Sequence, residues 1–332
     1  MTAGALVATG IGVVSPRGCD PARLDLDGHP PPDPTDAWFD VAAELGPRGY
    51  KYVPPSCRHL LAATRRALAD AADPLPLVPE ARRAMAIGTN NGIAALIDAI
   101  DETVTGPGAG RLGPATAPYF SINTLAGRAA MDHGIKGWNL TLTTPRTAGL
   151  EALHAGARAV AAGRADLLLA GSTEAPLPRH TPGHTASEAG AAVLVLEPPD
   201  AAAARGTTGY GTCRTAAFFL PPDAPPDRAR RTVGDALARV LAPDDHDAPP
   251  PVRLITDPCP VGTTLAAQLR LLGARTRLLP AGAGTLLPLL HVVHALVRPG
   301  PPRLVATAGP DGACALTLVR PHSPTEPEPE ER

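Results

Sequence analysis

The end of this chain repeats its middle. Residues 304–321, LVATAGPDGACALTLVRP, are two apolar runs around a Gly-Pro-Asp-Gly turn; residues 167–173 (LLLAGST) and 191–199 (AAVLVLEPP) form the same pair half a chain earlier. Self-similarity at that spacing implies two packed copies of one βαβ-type unit, because a sheet with one apolar face must bury it against another layer. The expected organisation is a single domain over 1–320, with half one at about 1–200 and half two at about 201–320. Residues 321–332 are acidic and Pro-rich and carry no apolar side chain, so a disordered tail is expected there.

The intervening pattern alternates strands and helices. In half one, strands are expected over 6–14, 83–88, 139–144, 167–170 and 191–197, and helices over 57–72, 93–100 and 150–163. In half two, strands are expected over 211–220, 252–256, 276–279, 304–308 and 314–320, and helices over 227–241, 263–272 and 285–297. Residues 20–35 and 105–118, rich in Pro, Gly and Asp, read as loops. Gly10 and Gly12 have no third glycine in register for a dinucleotide fingerprint.

Composition narrows the function. A net charge of −2 gives no basic nucleic-acid footprint. The five cysteines, Cys19, Cys57, Cys213, Cys259 and Cys314, are scattered without C-x-x-C spacing, which argues against a disulfide framework or a zinc site and for a reduced cytoplasm. No positive charge precedes the first apolar residues, as a signal peptide requires. The longest apolar run, 286–297, is interrupted by His291 and His294 and is too short to span a bilayer, so no membrane association is expected.

Chemistry concentrates in residues 138–149, WNLTLTTPRTAG, a strand running through a tight turn into a helix. In mostly parallel α/β sheets such a turn presents side chains into a crevice. This stretch resembles the nucleophile elbow of β-ketoacyl synthases, T-V-S-T-A-C-x-S-G-L-D-A. Thr141, Thr144, Thr147, Gly149, Leu150 and Ala152 fit it, Glu151 replaces an Asp, and Arg146 stands where the family has Cys. The phrase GRADLLLAGSTEAP (163–176) is similar to the family's G-R-A-D-x-x-x-A-G-x-x-E-A-P. His133-Gly134-Ile135-Lys136-Gly137 resembles the turn before its dimer strand, and 187–192 its G-E-G-A-A segment. Between the last two strands of half one only residues 176–187 remain where ketosynthases carry a long active-site loop.

The resemblance implies an α/β, thiolase-like, five-layered αβαβα fold built from two related halves. It also implies where catalytic groups should be. Ketosynthases need a thiolate and two histidines, and guanidinium is neither nucleophile nor base at physiological pH. The first histidine's H-G-T turn matches residues 254–263, which contain none, although Cys259 lies near its place. The second histidine's motif matches residues 277–284, where both its Lys and its His are missing.

A chain with all three positions changed is expected to be a non-catalytic member similar to chain-length factors. It would pair with an active ketosynthase in type II polyketide assembly and meet acyl carrier protein through that complex, with no cofactor or metal of its own. Asn139, Leu140, Thr141, Leu142, Thr143 and Thr144 would form the pairing strand. Phe120, Ile122, Asn123 and Leu125 would border the partner's acyl tunnel, or else pack the dimer interface. Two alternatives stay open: an enzyme with rewired acyl-transfer or hydrolytic chemistry using Cys259 or a histidine, and a homodimeric carrier-protein docking scaffold. Arg146 either pairs with a carboxylate, Glu174 or Glu188, or holds an anion such as a pantetheine phosphate or a malonyl carboxylate. His291 with His294, His180 with His184, and His154 read as packed or loop residues rather than metal ligands.

Overall fold

The structure is a computed structural model, and it describes residues 4–26, 38–242, 245 and 249–322. Its ten strands are β1 (Leu6–Val14), β2 (Arg83–Gly88), β3 (Asn139–Leu142), β4 (Leu167–Glu174), β5 (Gly190–Glu197), β6 (Gly211–Phe219), β7 (Val252–Thr256), β8 (Thr276–Pro280), β9 (Arg303–Ala308) and β10 (Ala313–Pro321). They hydrogen-bond in the order β3-β2-β4-β5-β1-β6-β10-β9-β7-β8. Read outward from the β1–β6 seam, each half has the same order and the same senses. The first strand pairs antiparallel with the fifth and the fifth with the fourth, and the second is parallel to both the third and the fourth. The repeat read in the sequence is therefore a repeat of topology, and the seam itself is short, three pairs from Leu6↔Cys213 to Ala8↔Gly211.

Three apolar clusters define the layers. Besides α1 (Val41–Leu45), α3 (Ala94–Thr105) and α6 (Pro199–Ala204), helices α2 (Pro55–Asp70) and α4 (Thr124–Asp132) cover the outer face of half one, and α7 (Pro226–Val240) and α8 (Pro260–Leu271) cover that of half two. Between the halves lie α5 (Ala148–Ala161) and α9 (Leu286–Leu296). α5 packs on β2 and β4 and also on β6 and β10; α9 packs on β4 and β5 and also on β9 and β10. A helix pair touching both halves requires the sheet to wrap around it, giving the αβαβα layering. This is why α9 is apolar apart from His291 and His294: all eleven of its residues are buried. Gly10 and Gly12 serve packing inside β1. A Cβ on Gly12 would stand 1.9 Å from the Ala63 carbonyl oxygen, so the bare backbone lets α2 lie close against the strand.

The expected loop over 105–118 holds a single 3-10 turn, Ala109–Arg111, and the start of a seven-residue 3-10 stretch, Pro114–Phe120. At the other end, β10 runs through Pro321, and His322 donates its N–H to the Tyr210 carbonyl, so the chain is still paired where the tail was expected to begin. Residues 323–332 lie outside the described residues. Among the described residues no helix is long and apolar enough to cross a membrane.

Candidate functional site

The elbow forms where β3 gives out. Among the described residues β3 is an edge strand with β2 as its one neighbour, and it ends at Leu142, two residues short of the expected strand, where β2 ends at Gly88. Thr143 and Thr144 belong to the turn. Glu151, in the first turn of α5, accepts from both the Thr144 and Thr147 hydroxyls at 2.7 Å, which fixes the turn from the helix side. The Ala148 N–H reaches the Thr144 carbonyl at 3.0 Å, and Arg146 is left at the apex with φ +66°. A left-handed conformation is uncommon for a residue with a Cβ, and such residues cluster at functional turns.

Arg146 faces half two, not the buried glutamates. Its Nε donates to Asp257 Oδ2 at 2.8 Å, and its carbonyl accepts from the Thr307 hydroxyl at 3.4 Å. The two side chains are 20 % and 29 % exposed, so the pair is partly screened from water. This corrects the expected partnership with Glu174 or Glu188, whose hydrogen bonds come from backbone N–H groups of the 90–91 turn and the start of α9. Asp257 is missed by the sequence reading; it is the first residue after β7, and the carboxyl end of a parallel strand is the signal that could have marked it.

Glu174 and Glu188 sit behind the elbow. The Glu174 carboxylate accepts from the backbone N–H groups of Asn90, Asn91 and Thr285 at 2.8, 2.7 and 3.0 Å. Glu188 accepts from Leu286 and Leu287 at 2.7 and 3.2 Å. Both therefore bind the amino end of α9, where the helix dipole favours negative charge. Burial drives both carboxyls upward, Glu174 also through repulsion from Glu188, so a proton stays on the pair near neutrality. The two carboxyls differ in their donors: both Glu174 oxygens are taken, whereas Glu188 Oε1 is buried without a hydrogen-bond partner among the described residues.

The other candidates disperse. Cys259 caps α8, its Sγ accepting from the Gly262 N–H at 3.3 Å and lying 3.9 Å from the Thr256 hydroxyl, and it packs on the outer core of half two. Cys57, Cys213 and Cys314 are buried, and desolvation pushes each thiol up to about 12, which leaves them inert. His154 Nδ1 lies 2.8 Å from the Thr215 carbonyl. In the short 176–187 loop, His180 pairs with Asp98 at 3.2 Å and His184 Nδ1 lies 3.0 Å from the Leu177 carbonyl. His291 and His294 are buried on α9. Among the described residues no group of three or more His, Cys, Asp or Glu is placed to hold a metal ion.

The expected interface residues divide. Leu140 is 36 % exposed and Phe120 63 %, while Leu125 is wholly buried in the outer core of half one. Ile122 packs partly against that core, and Asn123 is exposed, its Oδ1 accepting from the Ser121 hydroxyl at 2.6 Å. The turn carrying Phe120 packs on α4, and α4 packs on β3. Phe120, Met131 (72 % exposed) and Leu140 thus lie on three adjoining elements around the free edge of β3.

A doubled five-strand unit with a strand-turn-helix elbow at its centre defines a thiolase-like fold. Solved structures with that fold superpose over nearly the whole chain. A chain of the complex between a type II PKS acyl-carrier protein and its ketosynthase bound to the hexaketide aligns with TM-score 0.74 and 18 % identity, covering 95 % of this chain and 99 % of that one. The ishigamide ketosynthase/chain length factor aligns with TM-score 0.72 and 22 % identity, over 96 % and 99 %. Residues 33–211 match the β-ketoacyl synthase N-terminal domain, and the chain belongs to the β-ketoacyl synthase family. The 3-oxoacyl-[acyl-carrier-protein] synthase 2 of Rhizobium meliloti is 28 % identical over 295 residues, 70 % of each chain. That of Vibrio cholerae is 28 % identical over 199 residues, 52 % of this chain and 48 % of its own.

Proposed function

We propose that this chain is a ketosynthase-like subunit without condensing activity, which pairs with an active ketosynthase of type II polyketide assembly and shapes that partner's acyl tunnel. The observation that carries the reading is the Arg146–Asp257 pair. Where condensation calls for a thiolate beside a neutral-range base, the elbow bears a cation bonded to a carboxylate, and neither attacks a thioester. Cys259 supports the same reading, since the hydrogen bonds described for it come from Thr256 and Gly262 and not from a base.

Pairing would proceed by strand addition at β3, whose outer edge has no neighbour in the sheet, with Leu140, Phe120 and Met131 supplying apolar area around it. Acyl carrier protein would reach the chain through the complex, which the reading places in the cytoplasm. Co-expression with the ketosynthase encoded nearest to it, followed by native mass spectrometry, tests the pairing. A one-to-one complex is expected, and Leu140→Lys should abolish it by placing a charge on the joining strand. A homodimer that ignores the ketosynthase would overturn the reading. In the reconstituted pair, Phe120→Ala should change product length; an unchanged length distribution would remove the tunnel role while leaving the pairing.

A further inference from the structure

In half one, a cavity of about 320 Å³ lies between the residues that lead into α1, the first turns of α2 and the ends of β4 and β5. Trp38, Phe39, Arg58 and His59 line it, together with Pro176 just after β4 and Ala189 just before β5, and no elbow residue takes part. Its wall is aromatic. The Trp38 and Phe39 rings stand 5.6 Å apart, and each lies 4.9 Å from the His59 imidazole, so the three rings form one continuous surface. Rings that touch one another do not close around a cation, and the Arg58 guanidinium on the same cavity would repel one, so the wall suits a neutral or anionic aromatic body.

Two polar groups interrupt that surface. Arg58 Nε donates to the Val53 carbonyl at 2.7 Å, which fixes the half-buried guanidinium, and among the described residues no carboxylate bonds its Nη groups. Asp40, the nearest acid in sequence to the rings, instead caps α1, accepting from the Ala42 and Ala43 N–H groups at 2.9 and 3.2 Å. His59 is 4 % exposed, and its Nδ1 lies 3.3 Å from the Glu174 carbonyl, which only accepts, so Nδ1 carries the ring's proton. Burial pushes the imidazole down to about 4, so near neutrality Nε2 is a bare acceptor, and no described residue donates to it. We propose that this cavity binds a small aromatic carboxylic acid bearing a hydroxyl group. Its ring would lie on Trp38 and Phe39, its carboxylate on the Nη edge of Arg58, and its hydroxyl would donate to His59 Nε2. The volume is near the lower bound of small-molecule pockets, about 300 Å³, which suits a single ring.

The test is calorimetry on the full chain with 2-, 3- and 4-hydroxybenzoate as probes. Saturable one-to-one binding of at least one isomer is expected, about tenfold weaker for benzoate, which lacks the hydroxyl, and for phenol, which lacks the acid. An Arg58→Gln variant whose circular dichroism matches the parent should bind that isomer about tenfold more weakly. Should the variant misfold, photolabelling of the parent chain with azidosalicylate, located by mass spectrometry, gives the same answer, with label expected in the peptides carrying residues 38–41 or 55–59. The proposal is overturned if no isomer binds, or if benzoate or phenol binds as tightly as the best isomer. It is also overturned if the folded variant binds as well as the parent, or if the label falls outside those peptides.

Discussion

The elbow makes a quantitative prediction, because Arg146 combines a backbone cost with a side-chain gain. Its φ of +66° disfavours any residue with a Cβ by about 1 kcal/mol relative to glycine. The 2.8 Å bond to Asp257 joins charges that are 20 % and 29 % exposed. At an effective dielectric constant near 20 their gross attraction is about 4 kcal/mol, and desolvation returns much of it, leaving a net coupling of roughly 1–2 kcal/mol. Arg146→Ala loses the pair and keeps the backbone cost; Arg146→Gly loses the pair and removes the cost. Urea unfolding should therefore find Arg146→Ala less stable than Arg146→Gly by about 1 kcal/mol, with Arg146→Gly itself below the parent. An Arg146→Ala/Asp257→Asn cycle should return the coupling of roughly 1–2 kcal/mol. Equal stability of the alanine and glycine variants would refute the backbone assignment. A coupling below about 0.5 kcal/mol would refute the claim that the pair ties the two halves together.

Two further outcomes follow from buried geometry. A Cβ on Gly282 would stand 2.1 Å from Glu188 Oε1, so Gly282→Ala should cost about 2–3 kcal/mol in urea unfolding. Gly234→Ala, inside α7 with nothing within 4 Å, should instead gain about 0.5–1 kcal/mol, and a loss there would count against the packing argument. The folded Glu174–Glu188 pair holds its protons more tightly than the unfolded chain, so its contribution is fully present below the ordinary glutamate range. It is lost as pH rises toward about 8, where Glu174 ionises. Urea midpoints should fall between about pH 5 and pH 8 and level off above, and Glu188→Gln, which removes one buried charge, should flatten that fall; identical slopes in both proteins would disprove the coupling.

How much of this was readable in the sequence depended on how local its cause is. β1, β2 and β7 have the bounds expected from their apolar runs, because turn residues or polar loops end those runs and the burial pattern follows. β3 was overextended. Thr143 and Thr144 are good strand formers, yet pairing at a sheet edge stops where the single neighbour stops, and sequence composition does not report the neighbour's length. Arg146 was located correctly at the turn, but its partner lies 111 residues away in the other half. The sequence reading offered Glu174 and Glu188, and finding Asp257 instead needed the packing of α5 and α9. The two glutamates looked available as side-chain partners only because the backbone N–H groups that occupy them, on the 90–91 turn and the start of α9, carry no sequence signature.

The persistence of the elbow motif has a structural cause independent of chemistry. A Cβ on Gly149 would stand 2.5 Å from the Thr285 carbonyl oxygen, and one on Gly88 would stand 2.3 Å from the Ala148 carbonyl carbon. The turn therefore sets how closely α5 approaches both the start of α9 and the end of β2, and Glu151 holds it through two hydroxyls. The glycines, the threonines and the acid are thus held in place by the packing of the central layer, whatever side chain stands at the apex. The apex position is different, because its side chain points out of the turn toward half two. There Arg146 bonds Asp257, tying the elbow of half one to the end of β7 in half two.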